Sequence, residues 1–302
     1  MFGIRSHHLG ETAGGGQLRR GGRTSAGLFP KTTLLGCTLD LLFPRRCPIC
    51  GGNVAEMAGG IAPSGQRNGR RDPGTWGAPP VMPGEVCRRC AATFAPTRKP
   101  VCTVCGVPFT SRADAGHTCG GCLRNSPWYR SARSAGLYQG SLRQAVHGLK
   151  YAGRLQLAAP MGRLLFDAYR YWCAETRVDE IVPVPLHARR FRRRGFNQSF
   201  LLLRNWPALA EASGVRIPDP WPTRAVLVRR RRTAFQTGLG RRLRSANVRN
   251  AFAVTDDGAV AGKRILLVDD VFTTGATADE CARTLHRAGA ARVDVLTLAR
   301  AA

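Results

Sequence analysis

Nothing in the 302 residues constrains the fold as tightly as the stretch from Arg264 to Thr277, R-I-L-L-V-D-D-V-F-T-T-G-A-T. Four consecutive apolar residues, Ile265 to Val268, have the pattern of a strand buried on both faces, as in a parallel sheet. The run stops at two adjacent carboxylates, Asp269 and Asp270. Thr273, Thr274, Gly275, Ala276 and Thr277 then supply hydroxyls and close backbone N–H groups at the mouth of a helix that begins near Ala276. A loop of that kind cradles phosphate. Carboxylates beside it accept hydrogen bonds from vicinal hydroxyls, so the combination suits a ribose phosphate. Acid-ended strands and threonine-capped helices also occur in α/β turns that bind nothing, but here strand, acid pair, hydroxyl-glycine loop and helix stand in fixed order.

The second strong signal is cysteine. Of eleven cysteines, eight fall in C-x-x-C pairs: Cys47 and Cys50, Cys87 and Cys90, Cys102 and Cys105, Cys119 and Cys122. In a reducing compartment such pairs mean metal rather than disulfides. Eight thiolates make two tetrahedral sulfur sites, for which zinc is the default ion. Consecutive pairing would place Cys47, Cys50, Cys87 and Cys90 on one ion and the other four on a second, with crossed pairing as the alternative. His117, two residues before Cys119, is a substitute ligand by position. Cys37, Cys173 and Cys281 lie in helical patterns and are expected as buried small hydrophobes.

Around these signals the chain divides. Residues 1–31 are rich in Gly, Arg, Ser and Thr without hydrophobic periodicity and are expected to be a disordered basic tail. Residues 32–43 have leucines at helical spacing. A metal module is expected over 32–130, interrupted by a flexible Gly/Pro-rich insertion at 54–84. From 131 to 302 strands and helices alternate. Strands are expected at Ser134 to Tyr138, Asp179 to Pro185, Ala225 to Val228 and Val293 to Ala299, and helices at Ser141 to Tyr151, Gln156 to Cys173 and from Asn197 to Ser213, bent or ended by Pro207. Lys150 could reach a bound phosphate or stand as a solvated charge.

After the Asp179 strand comes the basic loop R-R-F-R-R-R-G-F-N-Q-S, Arg189 to Ser199, a second anion site in which Arg194 adds charge and Gly195 close backbone approach. His187 precedes it, as a general base or a structural histidine. Between 229 and 249 lie eight arginines and no acid, a stretch expected to be a mobile lid over a polyanion. The net charge of +27 points to nucleic acid, phosphates or anionic surfaces as partners, or to a general arginine bias. No apolar run is long enough for a transmembrane helix and the start lacks a secretory core, so the expected location is cytoplasmic.

The box around Asp269 and Asp270 resembles the phosphoribosyl diphosphate (PRPP) signature of type I phosphoribosyltransferases. Together with C-P-I-C-G, V-P-V-P-L-H with R-R-R-G-F-N-Q-S, F-Q-T-G-L and R-S-A-N-V-R-N-A-F, it makes the chain similar to the ComF (GntX-like) family over roughly Leu39 to Arg300. The resemblance implies an N-terminal double zinc ribbon joined to a type I phosphoribosyltransferase fold, an α/β architecture with a parallel sheet flanked by helices. It also implies a role in natural transformation, with single-stranded DNA and a DNA-uptake helicase as partners. PRPP with Mg²⁺ would bind through Asp269 and Asp270 at the ribose hydroxyls, Thr273 to Thr277 at the 5′-phosphate, and Arg194 and Gly195 at the diphosphate. As an enzyme it would be a glycosyltransferase displacing diphosphate from PRPP toward an unknown acceptor. As a competence factor it would bind DNA or a helicase without catalysis, using the pocket as a sensor. Thr273 stands where 6-oxopurine enzymes often carry a catalytic acid, which argues against that substrate class.

Overall fold

The computed structural model describes residues 45–54, 86–109, 116–173, 175–218, 226–231 and 246–301. The expected tail at 1–31, the leucine-spaced stretch at 32–43 with Cys37, nearly all of the 54–84 insertion and the centre of the arginine-rich lid lie outside these residues.

Alternation along two central strands builds the core. In β5 (Arg264–Phe272), Ile265 and Leu267 pack on one face of the sheet, Leu266 and Val268 on the other. In β6 (Arg292–Arg300), Val293 and Val295 join the first face, Leu296 and Leu298 the second. Both faces are apolar, so both need helices. On the second face lie α3 (Gly140–Tyr151) and α4 (Ala158–Cys173). Leu142, Ala145, Val146 and Leu149 form the buried stripe of α3, and Met161, Leu164, Leu165 and Ala168 that of α4. Against the first face lies α8 (Ala276–Arg287), buried through Ala278, Cys281, Ala282 and Leu285.

The sheet is four-stranded and parallel, in the order β1-β6-β5-β2, with β1 at Ser131–Leu137 and β2 at Glu180–Pro183. Asp269 lies opposite Thr297 of β6, and Val268 opposite Pro183 of β2. All four carboxyl ends therefore share one edge, where open α/β sheets bind ligands. A two-stranded antiparallel ribbon, β3 (Leu227–Arg229) with β4 (Phe252–Val254), accompanies the sheet.

The cysteine-rich region, with short helices α1 (Arg88–Ala92) and α2 (Gly120–Arg124), packs beside β1. Leu137 donates its N–H to Ala95, Thr97 to Ala135, and Ala132 to Val104, so backbone from this region runs along the outer side of β1. Cysteine module and sheet belong to one compact unit, Pro44–Ala302.

Several expected boundaries shift. β1 begins three residues before Ser134, at Ser131. The stretch from Arg189, expected as a loop, opens instead with helix α5 (Ala188–Arg194), and Arg194 sits in its last turn. None of its residues is buried, so it rests on its caps: His187 Nδ1 accepts from Arg189 N at 3.2 Å, and Gly195 ends it at φ 83°. The helix expected from Asn197 to Ser213 is two, α6 (Gln198–Leu201) and α7 (Trp206–Ser213), because Pro207 starts the second rather than bending the first. The strand expected at Ala225 to Val228 runs from Leu227 to Arg229, and β4 was not expected at all.

Candidate functional site

β5 carries its two acids to the carboxyl edge, and different elements meet each one. Asp270, 3% exposed, faces α3, where Lys150 Nζ stands 2.5 Å from its Oδ2. This is neither a solvated lysine nor one directed at a phosphate: it is the counter-ion of the second acid. Burial disfavours the lysine's charge, but the adjacent Asp270 carboxylate outweighs it and holds the ammonium above the ordinary lysine value. Asp269 Oδ1 accepts from Ser199 Oγ of α6 at 2.9 Å and from the backbone N–H of Asp270 at 2.8 Å. Desolvation first, and the charge of Asp270 second, push the Asp269 carboxyl up to about 7. Near neutral pH it is therefore poised to ionise when a cation or hydroxyl donors arrive.

Beyond the acids the chain turns into α8 through Thr273, Thr274 and Gly275. Gly275 is the N-cap at φ 82°, where a side chain would be strained and a Cβ would come within 2.7 Å of Phe272 Cζ and 3.2 Å of the Tyr129 hydroxyl. Thr274 Oγ1 accepts from Ala276 N at 3.4 Å, the weak end of such contacts. Ala276 and Thr277 form the first turn, so the backbone N–H groups of that turn open onto the edge that holds the acids.

From the β2 side α5 brings its arginines. Arg194 Nη1 donates to Gln198 Oε1 at 2.6 Å, and Asn197 Nδ2 to the Val184 carbonyl at 3.1 Å, which ties α5 and α6 to the end of β2. Arg194, Gly195, Ser199 and the acid pair thus belong to neighbouring parts of one edge.

The eight cysteines form two groups: Cys47, Cys50, Cys87 and Cys90, and Cys102, Cys105, Cys119 and Cys122, with sulfurs in each within 4.8 Å of one another. This is the consecutive pairing. The Cys50–Cys87 and Cys105–Cys119 sulfur separations are 3.5 and 3.7 Å. A tetrahedron with sulfurs ~2.3 Å from zinc has edges of about 3.8 Å, so either group can hold a structural zinc ion. Burial opposes ionisation of Cys102, yet backbone N–H groups of Cys119 and Cys105, 3.3 and 3.4 Å from its sulfur, prevail and bring it down to about 6. His117 is not part of either group: its ring stacks on Phe109 at 3.9 Å. Cys173 and Cys281 are buried, as expected.

Two residues of consequence had no role of their own in the sequence reading. Ser199 touches Asp269 as described, and its only local signal is the Asn197 N-cap before it. Arg300, 6% exposed at the end of β6, donates from Nη1 to the Cys105 carbonyl at 2.5 Å, while its guanidinium lies 4.7 Å from the Phe272 ring centroid. It joins the second cysteine group to the strand end that leads into the phosphate-type loop.

The chain is 38% identical over 224 residues to the DNA utilization protein YhgH of Salmonella typhi, covering 71% of this chain and 90% of that protein. Over 223 residues it is 26% identical to the competence protein ComFC of Bacillus subtilis, covering 72% and 84% respectively. Among solved structures, a glutamine PRPP amidotransferase from B. subtilis is 25% identical over 45% of this chain and 25% of its own length, with a TM-score of 0.28, too slight a likeness to argue from. No family model matches. Among the described residues no helix is long and apolar enough to cross a membrane.

Proposed function

Because the chain belongs to the family of the DNA utilization protein YhgH and the competence protein ComFC, we propose that its acid pair and glycine-capped loop are a PRPP site within a protein of DNA uptake. The observation that carries this reading is the pair Asp269 and Asp270 at the carboxyl end of a central parallel strand, followed without interruption by the Gly275-capped helix. Hydroxyls of a ribose would lie on the acids, and its 5′-phosphate on the backbone of Thr273 to Thr277. The diphosphate would meet Arg194 and Gly195, where α5 supplies positive charge and no acid. Magnesium, when bound with PRPP beside Asp269 and Asp270, would neutralise the charge of the leaving group.

Such a site supports displacement of diphosphate from C1 of the ribose, with this chain's residues contributing position and charge stabilisation. Lys150 pairs with Asp270, and Ser199 orients Asp269. In the full arrangement a cysteine module at 32–130, with two structural zinc ions, precedes a phosphoribosyltransferase-like domain at 131–302. Calorimetry with PRPP and Mg²⁺ on the native protein and on Asp269→Asn and Asp270→Asn tests the site. We expect heat from the native protein and strongly weakened binding in both variants. No heat from the native protein overturns the assignment.

A second reading is favoured by α5, whose sequence A-R-R-F-R-R-R buries nothing, and by the net charge of +27. In it the protein is a non-catalytic factor that binds single-stranded DNA or a helicase and uses the pocket as a sensor. Its single-strand affinity would fall steeply with salt. PRPP binding with no diphosphate release, whatever acceptor is offered, would favour it over the enzyme.

A further inference from the structure

A strip of aromatic rings begins where β1 ends and runs along the last turns of α3. Tyr138 follows β1 directly, and its ring centroid lies 6.1 Å from that of His147, which lies 5.4 Å from that of Tyr151. The strip ends at Tyr151, which is 64% exposed. The exposed ring is thus the accessible end of a strip whose helix packs its other face on the core. The residue before it, Lys150, is the counter-ion of Asp270, so the strip borders the acid pair. Arg194 comes from the opposite direction, its guanidinium 5.7 Å from the Tyr151 ring centroid and fixed by its bond to Gln198, itself 5% exposed. One cation held over an exposed ring leaves the rest of that ring for a second planar partner.

The surroundings decide what kind of partner. The α8 loop rises from one face of the sheet, whereas α3 packs on the other. A sugar phosphate with its 5′-phosphate at Thr273 to Thr277 and its hydroxyls on the acid pair would run from the α8 side toward the α3 side, where Lys150 pairs with Asp270 and Tyr151 follows it. A planar group there, attached to or approaching C1, meets an aromatic face and a guanidinium. That is the chemistry that recognises a nucleobase, since every base has a π-face and carries polar edges.

We propose that Tyr151, backed by Arg194 and continued by His147 and Tyr138, is the stacking shelf for a nitrogenous base at the anomeric end of the acid-pair site. The orientation rests on reading that site as one for a sugar phosphate. The shelf makes a nucleobase, free or in a nucleotide, the class of acceptor or product.

The test compares ribose 5-phosphate, adenosine and AMP by calorimetry on the full metal-loaded chain and on Tyr151→Ala and Tyr151→Phe. Because the side chain is exposed, both variants should melt as the native protein does. AMP should bind the native protein roughly tenfold to a hundredfold more tightly than ribose 5-phosphate, the ratio base–aromatic stacking usually supplies. Tyr151→Ala should lose that ratio with ribose 5-phosphate binding unchanged, and Tyr151→Phe should keep it. If ribose 5-phosphate fails to bind while adenosine and AMP still depend on Tyr151, the sugar-phosphate reading falls and the shelf stands. If no base-bearing probe depends on Tyr151, the shelf is refuted.

Discussion

Replacing Lys150 by Met keeps the aliphatic stem and removes only the charge that faces Asp270. The two charged atoms are 2.5 Å apart, with the side chains 16% and 5% exposed. At an effective dielectric of about 20 that separation gives a gross attraction of about 7 kcal/mol, most of it offset by the desolvation of both groups. What the substitution exposes is the other half of the balance, because Asp270 stays buried with no cation. We expect Lys150→Met to cost about 3–5 kcal/mol, the usual result of orphaning one member of a buried pair. The measurement is urea unfolding of the metal-loaded protein at pH 7.5. The lysine's raised pKa means that its contribution is fully present below 10.5 and is lost only as pH rises beyond that value. Adding Asp270→Asn should recover part of the loss and give a coupling energy of at least about 2 kcal/mol in the double-mutant cycle. A single-mutant cost and a coupling both below about 0.5 kcal/mol, the range of a solvated surface charge, would refute the pairing.

Further outcomes follow from the same edge and from the sulfur groups. With its carboxyl raised to about 7, Asp269 keeps a proton in the folded chain that the unfolded chain has lost, so its contribution to stability should decline as pH rises from about 4 to 7. Asp269→Asn should flatten the difference between unfolding at pH 5 and pH 8, and PRPP with Mg²⁺ should bind more tightly to the native protein as pH rises through 7. Gly275→Ala should cost about 1–3 kcal/mol through its left-handed backbone, with additional loss from the approach to Phe272, and should weaken ribose 5-phosphate binding by calorimetry. Metal analysis should find about two zinc ions per chain, and stripping them with a chelator should lower the unfolding midpoint of the sheet as well as that of the cysteine region.

Where information is local, the sequence was sufficient. The helices α3 and α8 were legible because Leu142, Ala145, Val146 and Leu149, and Ala278, Cys281, Ala282 and Leu285, repeat at helical spacing. The cysteine grouping was legible because pairs adjacent in the chain meet. Helix α5 was not, because a helix that buries nothing has no apolar stripe; its evidence lies in the caps at His187 and Gly195. The first residues of β1, Ser131 to Arg133, look unlike a strand because this edge takes its partners from another region of the chain. Of the site, the acids and the loop were visible as a contiguous motif. The roles of Lys150 and Ser199 depend on how α3 and α6 pack, and no spacing rule links them to Asp270 and Asp269.

The backbone of the cysteine region that lies along β1 bears on how this protein can be divided. A fragment beginning at residue 131 would keep the acid pair, the loop and every strand of the parallel sheet, and by motif alone it would pass for a self-sufficient domain. It would also uncover the outer side of β1, whose N–H groups at Ala132 and Leu137 and carbonyl at Ala135 now bond to residues 95–104. Unpaired strand edges recruit other strands. The fragment should therefore pair with itself and precipitate, and the cysteine region acts as a built-in guard against that association.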